Sequence, residues 1–378
     1  MKIKTVISSV LILSILLSCF SVQVFAQTEV ITENTLIRDI KANEAVLKSG
    51  LYLDNYAEDK SIKDIFVEAV IEDTVKGLNI YVDNYYKNIE LKHSPYTQEE
   101  INTDPTKANV DLYFFPCDKP NAPFAVICPG GAYMNVAVLE EGFSVAAALN
   151  EQGYNAFVLR YRIGDEAINN APVDDLAASV KYITENASEF NVDKNNYAVF
   201  GFSAGGHLAA EFGTDNMGYM NYGLSKPTVI VTGYALVSVE NMPVIYKILL
   251  GDKAKEEDGY EICPEKHISA DTPPMFIWAG KNDILDYSVN SALLAKSLYE
   301  TNIPVRFEVY DNAQHGVATG KGTDAEGWVE RACDFWEDSS SATDPTEEIE
   351  NAFSPILLYK IVLAFFKILR FITSGFLY

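Results

Sequence analysis

One serine stands in a sequence context that could make it a nucleophile. Residues 201–205 read GFSAG, with Ser203 between two glycines; the apolar run YAVF precedes them and the apolar-rich segment HLAAEF follows. This pattern predicts a sharp turn from a strand into a helix, where crowding leaves no room for a side chain at Gly201 or Gly205. A serine in such a turn is expected at the carboxyl edge of a sheet, where its hydroxyl could attack a carbonyl group.

A nucleophilic hydroxyl needs a base that accepts its proton and a carboxylate that orients the base. Of the four histidines, His315 lies in the loop after the last predicted strand, on the same expected sheet edge as Ser203. Asp283 follows the preceding strand and is expected at that edge too. The chain order Ser, Asp, His is that of α/β-hydrolases. Asp286 is the alternative carboxylate, ranked lower because it lies farther from the strand end.

Backbone N–H groups are expected to stabilise the negative charge that develops on an attacked carbonyl oxygen. Ala204 begins the helix after the serine, and its N–H supplies one donor. The strand PFAVIC runs into PGGAY, whose glycines let the backbone approach a substrate, so Gly131 or Ala132 can supply another. One such donor is typically worth about 3 kcal/mol of transition-state stabilisation.

The elements that must position these groups alternate between strands and helices from about residue 108 onwards. Apolar runs rich in β-branched and aromatic residues predict seven strands: NVDLYFFP, PFAVICPG, YNAFVLRYR, NYAVFGFS, TVIVTGYALVS, PPMFIWAG and VRFEVY. Helical spacing of apolar residues appears between most of them. The alternation predicts an α/β fold with a mostly parallel central sheet and helices on both faces.

Composition favours one large domain with shorter flanking segments. The 378 residues are 48% hydrophobic, which is enough for a sizeable core. The formal net charge of -24 argues against a nucleic-acid partner, because phosphates repel an acidic protein. The sequence contains no CxxC pair and no Cys/His cluster, so no motif of this kind indicates a metal site. Four cysteines follow the amino-terminal segment and could form disulfides in three full pairings, among which the sequence does not choose: Cys117, Cys128, Cys263 and Cys333. Buried free thiols are preferred, because Cys117 and Cys128 lie in or beside apolar runs typical of strands.

The amino terminus has the features of an export signal. Two lysines precede a long apolar stretch, and the residues VFA predict cleavage after Ala26, so residues 1–26 would be removed. Lipidation of Cys19 and an uncleaved membrane anchor are the alternatives. We therefore expect a secreted protein.

The rest of the chain divides into four predicted segments. Residues 27–87 are expected to form a helical extension, and residues 88–339 the catalytic domain. Within that domain, an insertion after the fifth predicted strand, rich in charge and tyrosine, is expected to shape a substrate pocket over the sheet edge. Residues 340–353 are polar and acidic, which predicts a flexible linker. Residues 354–378 form the terminal segment.

The terminal segment predicts contact with a membrane. Residues 355–378 are almost entirely apolar except for Lys360, Lys367 and Arg370, which share one side of a helix. The segment could span ~30 Å of hydrocarbon, but a cation near the centre costs ~2.5 to 3.5 kcal/mol. We expect an interfacial helix, with a transmembrane anchor and a partner-binding helix as alternatives.

Four long motifs carry a resemblance to a known group: ICPGGAYMNVAVLEEGFSVAAALNEQGYNAFVLRYRIG, GFSAGGHLAAEFGT, PEKHISADTPPMFIWAG and FEVYDNAQHG. Over about residues 108–338 the chain resembles the α/β-hydrolase esterases grouped with acetyl xylan esterases and related carbohydrate esterases. The resemblance implies a carboxylesterase without a cofactor, acting on short acyl esters such as O-acetyl groups of plant polysaccharides. It implies Ser203 as nucleophile, His315 as base and Asp283 as orienting acid. Pro129 stands where lipase-like relatives carry a histidine.

Three classes of function stay open on these residues. A secreted esterase ranks first. A serine peptidase or lipase of related fold is second. A non-catalytic surface protein tethered by the terminal segment is third, and the complete set of serine, histidine and aspartate argues against it.

Overall fold

The computed structural model describes residues 30–353, except residues 282, 284 and 286. The predicted export signal, the predicted membrane segment and Asp286 lie outside this part of the chain. Within the described residues, no helix has the length and apolar character needed to cross a bilayer. The elements named below all belong to one compact unit that begins at Thr32.

One eight-stranded sheet forms the centre of this unit, in the order β1-β2-β4-β3-β5-β6-β7-β8. The β1/β2 and β2/β4 pairs are antiparallel, and the remaining pairs are parallel. The strands are β1 (Lys92–His93), β2 (Asp111–Phe115), β3 (Ala122–Cys128), β4 (Asn155–Arg160), β5 (Val192–Phe202), β6 (Val229–Gly233), β7 (Met275–Gly280) and β8 (Val305–Tyr310).

The seven predicted apolar runs each overlap one of the strands β2 to β8, so the predicted α/β fold is confirmed. Strand β5 begins at Val192, four residues before its predicted run. Every residue of β2, β6 and β7 is buried, which means that both faces of the sheet are covered. The run TVIVTGYALVS is strand only as far as Gly233. Because β3 and β6 flank β5, the loops that follow these three strands lie side by side at one edge.

Helices pack around the sheet, and they are numbered here in chain order. They are α1 (Ile37–Ala42), α2 (Glu44–Ser49), α3 (Ile62–Ile65), α4 (Glu68–Tyr86), α5 (Gln98–Thr103), α6 (Ser144–Gln152), α7 (Ala171–Glu185), α8 (Ala187–Phe190), α9 (Ala204–Glu211), α10 (Pro243–Leu250), α11 (Glu256–Tyr260), α12 (Tyr287–Glu300) and α13 (Trp328–Glu337). A π-helical stretch, Val138–Phe143, leads into α6.

The helical amino-terminal extension packs directly on the catalytic part of the chain. The side chain of Tyr81, on α4, is fully buried and its ring lies 5.9 Å from that of Phe115 and 5.0 Å from that of Phe143. At Gly77 the helix approaches so closely that a Cβ would lie 2.4 Å from the carbonyl oxygen of Phe143. The extension therefore shares the core of the sheet domain.

The segment predicted to be a flexible linker has local structure. Residues 346–353 are helical, and Ala352 is fully buried. Lys281 Nζ donates a hydrogen bond to Asn351 Oδ1 at 2.7 Å, which ties this helix to the loop after β7. The reason is a helix start within the acidic sequence: Asp344 accepts from the N–H of Thr346 at 3.0 Å, and Pro345 stands between them.

Candidate active site

Ser203 sits in a strained turn between β5 and α9. Its backbone angles are φ 53° and ψ -120°, a region that L-residues rarely adopt. A Cβ at Gly201 would lie 2.1 Å from the carbonyl oxygen of Gly205, and one at Gly205 would lie 2.0 Å from that of Cys128. The two glycines are thus required by close backbone packing, as the sequence pattern predicts.

The structure brings Ser203, His315 and Asp283 together. Ser203 Oγ lies 3.0 Å from His315 Nε2, and His315 Nδ1 lies 2.8 Å from Asp283 Oδ2. Because the carboxylate can only accept, Nδ1 carries the ring hydrogen and Nε2 is free to accept the serine proton. The other carboxylate oxygen, Oδ1, accepts from the N–H of Leu285 at 2.8 Å. Ser203 and Asp283 are buried, with 8% and 6% of their surface exposed.

The loop after β3 lies against the serine. A Cβ added at Gly130 would be 2.7 Å from Ser203 Cβ. Gly131, Ala132 and Tyr133 follow with φ values of 130°, 56° and 57°, so the backbone reverses sharply here.

Within the described residues, the N–H groups of Gly131 and Ala132 donate no hydrogen bond, whereas that of Gly130 binds Glu141 Oε2 at 2.5 Å. Ala204 is the first residue of α9, and its N–H has no acceptor inside the helix. The predicted oxyanion donors are therefore available.

His207 supports the loop after β3 through a hydrogen bond to Tyr133. Its Nε2 lies 2.7 Å from the carbonyl oxygen of Ile262, so Nε2 carries a hydrogen, and its Nδ1 accepts from the hydroxyl of Tyr133 at 2.8 Å. Both bonds suit a neutral ring. Burial lowers the pKa of His207 to about 4, against the opposing effect of the bond to Ile262.

Sequence reasoning missed Glu141 and Tyr234. The Tyr234 ring lies 4.8 Å from the ring of His315, and its hydroxyl donates to Glu141 Oε1 at 2.8 Å. Glu141 is a fully enclosed carboxylate, with 4% exposure, in the apolar segment that leads into α6. The one available signal was a glutamate on the buried side of an otherwise apolar helical pattern.

The amino-terminal extension contacts both loops of the site. Asn55 Nδ2 donates to Asn135 Oδ1 at 2.9 Å, next to the loop after β3. On the other side, Thr319 donates to Asp73 Oδ2 at 2.6 Å, four residues beyond His315. The sequence alone left the role of this extension open, and these contacts show that it braces the loops that carry the site.

A solvent-open groove of about 760 Å³ begins beside the loop after β3. Met134 forms one wall, and because it is two residues from Ala132 its Cα lies within about 7.6 Å of the Ala132 Cα. Asp165 and Ile168 also line the groove, and the insertion supplies Val244 and Lys247 from α10. The insertion thus supplies part of the lining of this groove. Its expected role in shaping a substrate pocket stays a prediction.

Among residues 30–353 that the structure describes, one group of side chains could hold a metal ion. Ligand atoms of Glu240, Cys263 and Glu265 lie within 4.8 Å of one another. Lys266 Nζ is 3.5 Å from Glu265 Oε1 and already supplies positive charge there. The cluster escaped sequence reasoning because folding, not spacing, unites its members. Four cysteines of the described part are free thiols, as predicted, although Cys117 is partly exposed: Cys117, Cys128, Cys263 and Cys333.

The fold and the site together define a class. An eight-stranded sheet of this order, a strained serine turn after β5, and a serine, a histidine and an aspartate joined by hydrogen bonds are the features of an α/β-hydrolase.

Comparison with known proteins gives the family. Residues 110–298 match the BD-FAE family, so the chain belongs to the BD-FAE family of α/β-hydrolases. It is 27% identical over 307 residues to endo-1,4-beta-xylanase B of Butyrivibrio fibrisolvens, covering 76% of this chain and 46% of that protein. It is 31% identical over 140 residues to an acetylxylan esterase of Xylanibacter ruminicola, covering 36% of this chain and 27% of that protein.

A solved structure agrees with these relatives. The acetyl ester-xyloside bifunctional hydrolase of Caldicellulosiruptor lactoaceticus superimposes with a TM-score of 0.58 at 26% identity, covering 67% of this chain and 97% of that one. This chain spans less than half of the length of either curated relative. At the level of class, the comparisons identify an esterase of the α/β-hydrolase fold.

Proposed function

We propose that the protein is a serine carboxylesterase that removes short acyl groups, chiefly acetyl, from plant polysaccharides such as xylan. The observation that carries the chemistry is the hydrogen-bonded series from Ser203 through His315 to Asp283. The polysaccharide part rests on the relatives, which are named as a xylanase and an acetylxylan esterase.

Acylation follows from the positions of these groups. Ser203 Oγ attacks the ester carbonyl carbon while its proton passes to His315 Nε2, 3.0 Å away. The carbonyl oxygen becomes an oxyanion and accepts hydrogen bonds from the N–H groups of Ala204 and of Gly131 or Ala132. His315 then gives the proton to the alcohol oxygen as the C–O bond breaks. The alcohol leaves, and the acyl group stays on Ser203.

Deacylation repeats these steps with water. His315 Nε2 accepts a proton from a water molecule, whose oxygen attacks the acyl carbon. The second tetrahedral intermediate collapses when His315 returns the proton to Ser203 Oγ, which releases the carboxylic acid. Asp283, at 2.8 Å, keeps the ring in the tautomer that both steps require.

The groove beside the loop after β3 suits the alcohol part of a large substrate. It is open to solvent, so a polymer could enter without being enclosed, and it combines apolar Met134 and Val244 with charged Asp165 and Lys247. Sugars offer both apolar C–H faces and hydroxyls to such walls. Val244→Asp should therefore lower kcat/KM on acetylated xylo-oligosaccharides several-fold while leaving p-nitrophenyl acetate hydrolysis unchanged.

Substrate rates test the acyl preference. We expect p-nitrophenyl acetate to be cleaved faster than the butyrate, and the palmitate slowest. A dipeptidyl anilide should not be cleaved. Preference for palmitate would contradict the carbohydrate esterase proposal and favour a lipase, whereas anilide cleavage would favour a peptidase.

Replacing the nucleophile tests the chemistry. Ser203→Ala and His315→Ala should each abolish most ester turnover while circular dichroism shows an intact fold. Near-normal esterase activity in Ser203→Ala would overturn the proposed function.

Export and membrane attachment are part of the proposal. Residues 1–26 would direct secretion, and residues 355–378 would lie on an anionic membrane surface with their basic stripe towards the headgroups. The test is flotation with anionic vesicles of the full chain against a chain that ends at Phe353, which keeps the helix of residues 346–353. Flotation of the full chain alone is expected. Failure of both to float would refute attachment, and retention after carbonate washing would favour a spanning helix.

A further inference from the structure

Glu141 lies between the two halves of the candidate active site. On one side its Oε2 accepts a 2.5 Å hydrogen bond from the N–H of Gly130, the residue that precedes the predicted oxyanion donors. On the other side its Oε1 accepts from the hydroxyl of Tyr234 at 2.8 Å. Each carboxylate oxygen thus binds a different wall of the site.

Tyr234 extends this connection to the base. Its ring packs against the His315 ring, with the centroids 4.8 Å apart in an edge arrangement. Its hydroxyl oxygen also accepts from the N–H of Ala318 at 3.2 Å, three residues beyond His315. The tyrosine φ of 37° shows that its backbone is held in an uncommon conformation to place the ring there.

The hydrogen bonds define the charge of Glu141. The N–H of Gly130 can only donate, and the Tyr234 hydroxyl, which accepts from Ala318, has its own proton to give. Both oxygens therefore accept, which fits the ionised carboxylate. Burial raises the pKa of Glu141, and the two hydrogen bonds and the positive charge of protonated His315 oppose the rise.

We infer that Glu141 is a positioning residue that couples the oxyanion loop to the catalytic base. It holds Gly130 against Ser203 and, through Tyr234, fixes the ring and loop of His315. It also places a second negative charge, besides Asp283, near the imidazolium that forms during each turnover. The inference rests on the proposed function, because it assumes that Ser203 and His315 perform the reaction.

The other ionisable groups around this pair are few in the described part of the chain. Asp283 and Tyr234 face His315. Tyr161, whose hydroxyl donates to the carbonyl oxygen of Pro129 at 2.6 Å, and Glu140 are the groups near Glu141. Glu140 turns the other way and accepts from the hydroxyl of Tyr56 at 2.6 Å. It is therefore a matched control: a neighbouring glutamate in the same helical stretch, hydrogen-bonded to the extension.

The test compares Glu141→Gln with Glu140→Gln on p-nitrophenyl acetate over a range of pH. Glu141→Gln should lower kcat about 10- to 100-fold with less than a threefold change in KM, because the loop and ring lose alignment. The acidic limb of its kcat/KM profile should move about half a pH unit lower, because the imidazolium loses a stabilising negative charge. Glu140→Gln should match the wild type in both respects.

Tyr234→Phe provides a second route if Glu141→Gln folds poorly. It keeps the ring against His315 but removes the hydroxyl between Glu141 and Ala318. We expect a similar loss of kcat for Tyr234→Phe. The kcat of the double variant Glu141→Gln/Tyr234→Phe should be at most about twofold lower than that of the less active single variant, because both substitutions act through the same connection.

Two outcomes would overturn the inference. The first is equal activity of Glu141→Gln and Glu140→Gln. The second is a loss of activity in Glu141→Gln with an unmoved acidic limb, which would indicate structural damage alone. Failure of the proposed function would look different, because Ser203→Ala would then retain activity whatever Glu141 does.

Discussion

The Ser203 turn and the His315 loop deliver the two reacting groups by different physical means. The Ser203 turn is fixed by backbone packing, with glycines pressed against the carbonyl oxygens of residues next to it in space. The His315 loop is held by side chains from distant parts of the chain. Asp73 of α4 binds Thr319, and Tyr234 after β6 binds the N–H of Ala318.

The Ser203 turn and the His315 loop should differ in how well they tolerate substitutions. A turn fixed by hard-sphere contact cannot relax around an added atom, because backbone neighbours have nowhere to move. A loop held by several hydrogen bonds can lose one and adjust, with a cost of about 0.5 to 1.5 kcal/mol for each bond. Substitutions that add atoms to the serine turn should therefore act almost as all or none. Removing one of the hydrogen bonds that hold the His315 loop, without touching the His315 ring or its partner Asp283, should act gradually.

The largest expected effect is that of Gly205→Ala. The new Cβ would lie 2.0 Å from the carbonyl oxygen of Cys128 and 2.4 Å from that of Pro129, and neither backbone atom can yield. We expect at least about 3 kcal/mol of lost folding free energy and no measurable esterase activity.

Gly223→Ala is the matched control for this prediction. Gly223 has a positive φ, 66°, unlike the helical Gly205, but a Cβ there meets nothing within 4 Å, so the cost of Gly223→Ala should be about 1 to 2 kcal/mol. Urea denaturation measures both. Equal costs would show that the serine turn is not packed as described.

The second-largest expected effect is that of Asp283→Asn on catalysis. An asparagine cannot hold the His315 ring in the tautomer that leaves Nε2 as an acceptor, so kcat should fall about 10³- to 10⁴-fold with little change in stability. Asp286→Asn, at the alternative carboxylate predicted from the sequence, should cost far less. A larger loss in Asp286→Asn would assign the orienting role to Asp286 instead.

His207, on the helix that follows Ser203, should make the free energy of unfolding depend on pH. Its pKa is about 4 in the fold and 6.5 ordinarily, so between these values the unfolded chain binds the extra proton. The stability that the neutral, buried His207 gives to the fold is complete above pH 6.5. It is lost as the pH falls towards 4, which lowers the free energy of unfolding by about 3 kcal/mol in all.

His207→Gln, which keeps a donor for the carbonyl oxygen of Ile262, should lack this loss. The measurement is the difference in unfolding free energy between the two proteins at pH 7 and pH 4.5, which cancels the titration of shared groups such as Glu211. A difference that does not change with pH would contradict a buried neutral His207.

The smallest expected effect is on the histidine side. Thr319→Val removes the 2.6 Å hydrogen bond to Asp73 and should lower kcat/KM about two- to fivefold, because the loop keeps its other bonds. Thr184→Val removes a local bond to Val180 on α7 and should leave kcat/KM unchanged. A loss above about 100-fold in Thr319→Val would erase the contrast between the two sides.

The same contrast explains what the sequence could predict. The Ser203 turn was readable because its determinants, Gly201 and Gly205, lie within two residues of it. His315 and Asp283 were readable because parallel strands bring their carboxyl ends to one edge. Glu141, Tyr234 and the brace from Asp73 were not, since each acts across a contact between residues far apart in the chain. The local pattern marks Glu141 only as a glutamate on the buried side of an apolar helical segment. It shows neither the site that Glu141 faces nor the Tyr56 hydroxyl that Glu140 binds.

The helix at residues 346–353 shows a different limit. An acidic, polar composition favours an exposed linker, yet Asp344 and Pro345 are a helix start, and a single small residue, Ala352, is buried there. Composition averaged over the segment concealed a short local signal. Reading the capping residues first would have predicted the helix.

The central claim is that Ser203 is the nucleophile activated by His315. The most direct measurement is the reaction with diethyl p-nitrophenyl phosphate, in which a serine oxygen displaces p-nitrophenolate and retains the diethylphosphoryl group. We predict release of one equivalent of p-nitrophenolate, loss of esterase activity in proportion, and the added mass on the peptide that contains Ser203. Ser203→Ala should release none, and His315→Ala should react far more slowly. Labelling of a different residue, or full activity in protein labelled completely at Ser203, would contradict the account.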